Sequence, residues 1–492
     1  MAAFTYTDLI ELDLGKLKSA VDDWKDMVDA LDDMRTMATD GLRAKSDAAV
    51  WKGANATVTK KFVTATANEV WDLHAEAMSI HAVLDDAHSE LHRLQERAKE
   101  LTREAKTGDP DPESSNPGLL VVDGKDGTVS VSPMECRVDG YVPERTKGLM
   151  RYYSDALTGL VAHASEVDEA ARDLLRKSHG GSPHNAGHGT YKSLDAAQLP
   201  RAMKLAAMGD DAGKKEKEEL RRLWKSLSPG ARAELWEKHE DGMKAAGVFS
   251  PTMKQVAPDK GSGRHGEREP GWEERKTKAK MLMLASGAGW KGMSDASRHM
   301  AHYLSNDGGR MDLSVDKMMS DDPAFKSHVD AFVQPQEKEW REKALEEFRK
   351  NGNQPVALPV ETDSNGFTFD EADQENWYFA VGSMDYNVTG VVTVKPDESG
   401  DPKVVLDYQV NTWDQYNWDK DKGVKIGTMD IPDGQPASLH QTGLAKEFPM
   451  SGSSSAMHRD LSGSDWENEP YPQPDKPRTG QDGGRADPDR KP

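Results

Sequence analysis

Two segments within the first hundred residues repeat apolar side chains three and four positions apart, the spacing that lines one face of a helix. Each such face needs a partner helix to cover it. A short turn between the segments predicts that the two helices are antiparallel neighbours. The repeats are Leu14, Leu17, Val21, Trp24, Val28 and Leu31 on the first segment, and Leu73, Ala77, Ile80, Leu84, Ala87, Leu91, Leu94, Ala98 and Leu101 on the second.

The predicted bend contains Trp51-Lys52-Gly53. Gly53 tolerates backbone angles that a β-carbon would forbid, and Trp51 supplies a large apolar side chain where the hairpin folds back. The two heptad segments with Trp-x-Gly between them resemble the WXG family of substrates of the type VII (ESX) secretion systems of Gram-positive bacteria. The resemblance covers roughly the first fifth of the chain. An ordinary two-helix coiled coil with a Trp in its turn is the alternative.

The resemblance implies that the hairpin serves export and pairing. Its expected partners are the type VII machinery, a WXG-type partner and, for an effector, an immunity protein. The family's usual export signal, Tyr-x-x-x-Asp/Glu just after the second helix, does not follow Leu101 directly. Export is therefore expected to depend on a paired partner.

A helical period resumes at residues 143–177, and two short β-type runs at 119–122 and 128–131 precede it. Residues 1–178 are therefore predicted to form a helical hairpin or bundle with a β-hairpin insert. Residues 179–193, rich in Gly and His, are predicted to be a linker. A metal site there is disfavoured, because ordering so flexible a segment is costly and no carboxylate is placed to join the histidines.

The region 194–352 is predicted to be helical, with a break where Ser228 can cap and Pro229 can begin a helix. A highly charged helix over 337–349 is expected to form a solvated face. Residues 353–450 are predicted to be an α+β domain, because residues 404–410 alternate in the period of a strand and 388–394 are a suitable antiparallel partner. The composition of 451–492 predicts a disordered tail. The fold class is thus mainly α, with a small antiparallel sheet near the C-terminus.

Composition limits the function. The net charge of -21 disfavours binding to nucleic acid or anionic lipid. The single cysteine, Cys136, excludes an internal disulfide, and no zinc-type Cys/His spacing occurs. The chain has neither a run of about 18 apolar residues nor a basic, apolar N-terminal leader. We therefore expect secretion without a Sec-type signal peptide and no integral membrane segment, with a cytoplasmic location as the alternative.

The densest group of chemically capable residues follows the predicted strand 404–410. Carboxylates and aromatic rings alternate there, and a histidine that titrates near neutrality follows. The alternative is that the aromatic residues build a core and the aspartates cap turns. No particular cofactor or metal is indicated. The predicted catalytic residues are Asp414, Tyr416, Asp419 and His440.

The sequence favours a modular type VII-secreted protein with a C-terminal effector domain, with a toxin as one candidate activity. This inference depends on the arrangement of modules and not on identified chemistry. The alternative is a non-enzymatic interaction or structural protein, secreted or cytoplasmic.

Overall fold

The computed structural model describes residues 4–50, 52–108, 118–134, 140–179, 190–256, 261–288, 292–418, 424–426, 429–432 and 434–474. The chain divides into two compact units. The first contains residues 1–108, 118–132 and 153–248, and the second contains 109–117, 133–152 and 249–492. No helix among the described residues is both long and apolar enough to cross a membrane.

The first unit is almost entirely helical. A π-helix, Met37–Arg43, joins α2 to α3, and a short strand pair lies between α4 and α5. The elements of this part of the chain are α1 Tyr6–Glu11, α2 Leu14–Thr36, α3 Ala44–Ala48, α4 Ala54–Thr107, β1 Leu119–Asp123, β2 Val129–Pro133, α5 Glu144–His179, α6 Asp195–Ala206, α7 Lys214–Ser226 and α8 Pro229–Ala245. Of α5, residues 153–179 belong to this unit.

The predicted hairpin is present. The heptad face of α4 is largely buried, with Leu94 and Ala98 fully inaccessible, although Leu73 is exposed. The expected β-type runs pair as β1 and β2, and the third helix forms as α5. At the predicted break, the backbone N–H of Ala231 donates to Ser228 Oγ over 3.3 Å. These elements form as expected because their signals are local in the sequence.

The second unit combines helices with a sheet. A π-helix, Leu284–Ala288, extends α9, and a 3₁₀ turn, Trp466–Asn468, follows the last strand. Its elements are α9 Trp272–Met283, α10 Ser294–Ser305, β3 Met311–Asp312, α11 Val315–Asp321, α12 Pro323–Lys350, β4 Val356–Glu361, β5 Asn365–Thr368, α13 Glu375–Ala380, β6 Ser383–Pro396, β7 Pro402–Tyr416, β8 Val424–Ile426, β9 Met429–Ile431, α14 Gln435–Gln441, β10 Phe448–Ser453 and β11 Met457–Asp460.

The main sheet has seven strands, more than the small sheet expected. Its order is β3-β10-β7-β6-β4, with β11 pairing beside β10 on β7 and β5 pairing on β6. All pairs are antiparallel except β3 with β10. Val388 lies opposite Val410 and Val394 opposite Val404, so the predicted strand pairing is confirmed. The predicted fold class, mainly α with a C-terminal α+β region, is also confirmed.

The apolar core of this unit lies between one sheet face and the helices that come before β4 in the chain. Val388 and Tyr408 share one buried cluster with Phe325 and Phe348 of α12 and with Met281 of α9. The expected domain boundary at 352/353 therefore falls inside a compact unit. The physical reason is that every second side chain of β6 and β7 faces the same side, and α9 to α12 cover that side.

Two further expectations differ from the structure. The segment predicted to be a disordered tail begins inside β10 and continues through β11, with Met457 and Leu461 buried, while its residues 475–492 lie outside the described part of the chain. The average composition of residues 451–492 is polar, and it did not indicate the few apolar residues that become buried. Glu337, expected on a solvated face, is fully inaccessible, because its side of α12 faces the sheet and Arg459 supplies the opposite charge.

Candidate functional site

The bend of the hairpin carries the predicted export motif. Gly53 directly precedes α4 with a φ of +113°, a conformation that favours glycine. A β-carbon at this position would meet no atom within 4 Å, so there is space for a side chain and only the backbone angle favours glycine. Trp51 lies outside the described residues, so its prediction stays a prediction.

Side-chain contacts fix the register of the two arms. Trp71 Nε1 donates to Thr39 Oγ1 over 3.1 Å, and the guanidinium of Arg35 lies 4.4 Å from the Trp71 ring centre. His74 Nε2 lies 3.7 Å from Asp32 Oδ1. Since the arms are antiparallel, each residue further along α2 lies beside a residue one position earlier in α4. Asp32 lies beside His74, so Met27 lies at about the level of residue 79.

Helix α5 covers only part of this hairpin. His163 Nε2 lies 3.3 Å from Glu90 Oε1, and Ser178 Oγ lies 2.8 Å from Ser79 Oγ. Helix α5 therefore runs antiparallel to α4 and ends at His179, level with Ser79. Beyond that level, the hairpin lacks this third helix.

The exposed apolar side chains of the hairpin all lie at or beyond the level at which α5 ends. Ten large apolar residues are 46 to 90% exposed there, and the described parts of α2 and α4 on the other side of that level expose none of comparable size. We call these ten the distal apolar surface. They are Met27, Met34, Met37, Leu42, Val50, Val58, Phe62, Trp71, Leu73 and Met78.

The sequence contains a second Trp-Lys-Gly, at residues 290–292, outside the predicted hairpin. Gly292 has a φ of +92° and lies just before α10, much as Gly53 lies before α4. A search of the whole chain for the exact tripeptide would have found it. Trp290 and Lys291 lie outside the described residues.

In the second unit, two of the predicted catalytic residues lie within a strand and not in a loop leaving it. Asp414 and Tyr416 belong to β7, and both are buried. The Tyr416 ring stacks on Phe448 with centres 4.9 Å apart, and burial raises the pKa of its phenol. Its hydroxyl has no aligned hydrogen-bond partner among the described residues. Asp419 lies outside the described residues.

His440 lies near the end of α14, and both of its ring nitrogens contact backbone groups. Nε2 lies 3.1 Å from the carbonyl oxygen of Gly263, and Nδ1 accepts the N–H of Glu447 over 3.1 Å. These partners assign a neutral ring with its proton on Nε2. Burial lowers the pKa of His440 to about 4. The arrangement ties the loop at Gly263 to α14, and a catalytic role for this ring stays a prediction.

Ser262 connects Tyr416 to His440 through their neighbours Trp418 and Glu447. Its Oγ donates to the carbonyl oxygen of Trp418 over 2.6 Å and also contacts the Glu447 carboxylate. Its backbone N–H donates to Glu447 Oε1 over 2.8 Å. The Trp418 ring in turn lies 6.1 Å from the Tyr416 ring. Sequence reasoning missed Ser262 because it lies about 180 residues from Glu447 within a polar segment.

This arrangement resembles a nucleophilic triad in its residue types only. Ser262 Oγ contacts a carboxylate, whereas the Nε2 of His440 is directed at the carbonyl oxygen of Gly263, so the imidazole does not contact the hydroxyl as it does in a triad. Beside it, a groove of about 470 Å³ lies between α9 and α14, and within it Thr277 Oγ1 donates a hydrogen bond to Gln435 Oε1. The described residues hold no group of three or more His, Cys, Asp or Glu placed to bind a metal ion.

Comparison with known proteins adds no assignment. No family model, curated protein or solved structure matches the chain.

Proposed function

We propose that this chain is a modular protein exported by a type VII secretion system of a Gram-positive bacterium. The first, helical unit serves export and pairing, and the second, α+β unit is the effector that it carries. The observation that supports this proposal best is the distal apolar surface, which begins where α5 ends. Val58, Phe62 and Leu73 are all exposed and lie at helical spacing on one face of α4, and an exposed apolar face of this kind is typical of a protein interaction site.

The partner that fits this surface is another helix or helical hairpin. Residues 54–78 of α4 extend about 37 Å at 1.5 Å per residue. A helix in the position that α5 leaves would cover apolar residues of both arms, since Met34 and Leu73 lie at the same level. Completing the burial of Phe62 and Leu73, which are 69 and 46% exposed, contributes at most about 1.5 to 3 kcal/mol each.

Secretion of the full chain tests the proposal. A Phe62→Ser, Leu73→Ser variant is expected to stay folded, because both side chains are already exposed, but to lose export into the culture medium. Leu120→Ser, which changes a similarly exposed residue of β1, is the matched control and is expected to be exported normally. Normal export of the double variant would count against the export module.

A second candidate is a non-enzymatic interaction protein. Its specific support is that His440 is fixed by backbone contacts and that Tyr416 is a buried phenol of raised pKa, so neither is poised for proton transfer near neutral pH. Expressing the chain inside bacterial cells, and adding the purified chain to the medium of susceptible cells, distinguishes the effector from the interaction protein. Growth inhibition supports the effector, and full growth in both cases supports the interaction protein.

A further inference from the structure

The second unit contains a group of charged side chains buried between α12 and the sheet. Glu337 is fully inaccessible, and Arg459 and Lys326 are 3 and 5% exposed. Lys326 Nζ contacts both carboxylate oxygens of Asp330 at 2.6 Å. Together with Tyr408, these residues form what we call the charged pocket (Lys326, Asp330, Glu337, Tyr408 and Arg459). None of them belongs to the sites described above.

Hydrogen bonding within the charged pocket is incomplete. Arg459 Nε lies 2.9 Å from Glu337 Oε1, but the two atoms are not aligned for a hydrogen bond. The hydroxyl of Tyr408 is fully buried and has no hydrogen-bond partner among the described residues. Buried polar groups are nearly always satisfied, so an exception of this kind requires an explanation, such as a bound water or another polar group.

A single aromatic side chain closes the pocket. After the buried Trp466, residues 467–470 are exposed, and the chain then turns back so that Tyr471 is half-buried. Its hydroxyl donates to Glu337 Oε2 over 2.9 Å. The guanidinium of Arg459 lies 3.9 Å from the Tyr471 ring centre, and Lys326 Nζ lies 5.6 Å from it.

These contacts identify the chemistry that the pocket recognises. The carboxylate of Glu337 accepts the phenolic hydroxyl, and two cations contact the electron-rich ring. A ring without the hydroxyl would leave Glu337 Oε2 without this donor. We propose that the charged pocket is a binding site for a phenolic ring, and that Tyr471 occupies it in cis as a plug that a tyrosine side chain of another polypeptide can displace.

The position of the plug suits displacement. The four residues before Tyr471 are exposed. Among the described residues, the sheet donates a single hydrogen bond to these four, from Arg459 to the carbonyl oxygen of Glu469 over 2.8 Å. Tyr471 can therefore leave while Trp466 stays buried. Segments with few buried apolar contacts open at lower free energy than core strands do.

Ligand binding to the full chain carrying Tyr471→Ala tests the proposal. The probes are 4-methylphenol, which is the tyrosine side chain without its backbone, and toluene, which lacks the hydroxyl. We expect saturable binding of 4-methylphenol by calorimetry, at least about tenfold tighter than toluene, a ratio that corresponds to about 1.4 kcal/mol. Tyr378→Ala, which removes another half-buried tyrosine of this unit, is the control and should show no such preference. Equal binding of both probes, or no binding, overturns the proposal.

If the Tyr471→Ala variant fails to fold, hydrogen exchange tests the proposal instead. It is measured on the unmodified full chain and on the Tyr471→Phe variant. Residues 467–474 of the unmodified chain should exchange much faster than β7. Tyr471→Phe, which keeps the ring and removes the hydroxyl, should increase that exchange about tenfold and leave β6 and β7 unchanged. Exchange that rises together across the sheet, or that does not rise at all, overturns the plug.

Discussion

Cutting the chain before β4 should prevent the sheet from folding. A fragment that begins at residue 353 keeps every strand from β4 to β11 but loses α9 to α12 and the two-residue edge strand β3. We expect this fragment to be unfolded or aggregated. A fragment of residues 249–474 should fold, because the apolar core of the unit lies entirely between Met281 and Trp466 among the described residues.

The magnitude follows from α12 alone. Six of its large apolar side chains are at most 8% exposed, and burying each contributes about 1.5 to 3 kcal/mol. Their loss removes about 9 to 18 kcal/mol, which equals or exceeds the usual stability of a domain, about 5 to 15 kcal/mol. The six are Phe325, Val329, Val333, Trp340, Leu345 and Phe348.

Urea unfolding of both fragments, followed by circular dichroism, provides the measurement. The longer fragment should show one cooperative transition and the shorter one none. Limited proteolysis of the full chain should release a C-terminal fragment that begins near residue 249. A cooperative transition in the fragment that begins at 353 would refute the reasoning, because it would show that the sheet does not need these helices.

Three further outcomes are expected. Gly53→Ala should lower the stability of the hairpin by about 1 kcal/mol, measured by thermal unfolding, since its φ of +113° disfavours a β-carbon; an unchanged melting temperature would contradict this. His440→Ala should lower the stability of the second unit by about 1 to 3 kcal/mol through lost hydrogen bonds, whereas Asp414→Asn should leave it nearly unchanged and abolish growth inhibition only if that carboxylate is catalytic. Burial lowers the pKa of His440 from 6.5 to about 4 and that of His163 from 6.5 to about 3. Because the folded chain resists protonation of these rings, the free energy of unfolding should be highest above pH 6.5 and should decrease as the pH falls toward 4. Urea midpoints that are equal at pH 7 and pH 4.5 would contradict this.

Among the predicted site residues, sequence proximity was a poor guide to spatial grouping. Asp414 and Tyr416 are two positions apart and share a strand face, as the alternation of a strand requires. His440 is instead surrounded by Gly263 and Glu447, and Ser262 forms the connection to Trp418. Its surroundings depend on a loop about 180 residues away from Glu447, which no local pattern contains.

The sequence alone determined the elements whose signals are periodic and local. The heptad faces of α2 and α4, the cap at Ser228 and the pairing of β6 with β7 follow from side-chain spacing over a few turns or residues. Tertiary structure alone decided which surfaces are covered. It ended α5 level with Ser79, placed α12 on the sheet, and buried Glu337 against Arg459, 122 residues away. Burial depends on contacts between distant segments, whereas periodicity records only that a face must be buried by something.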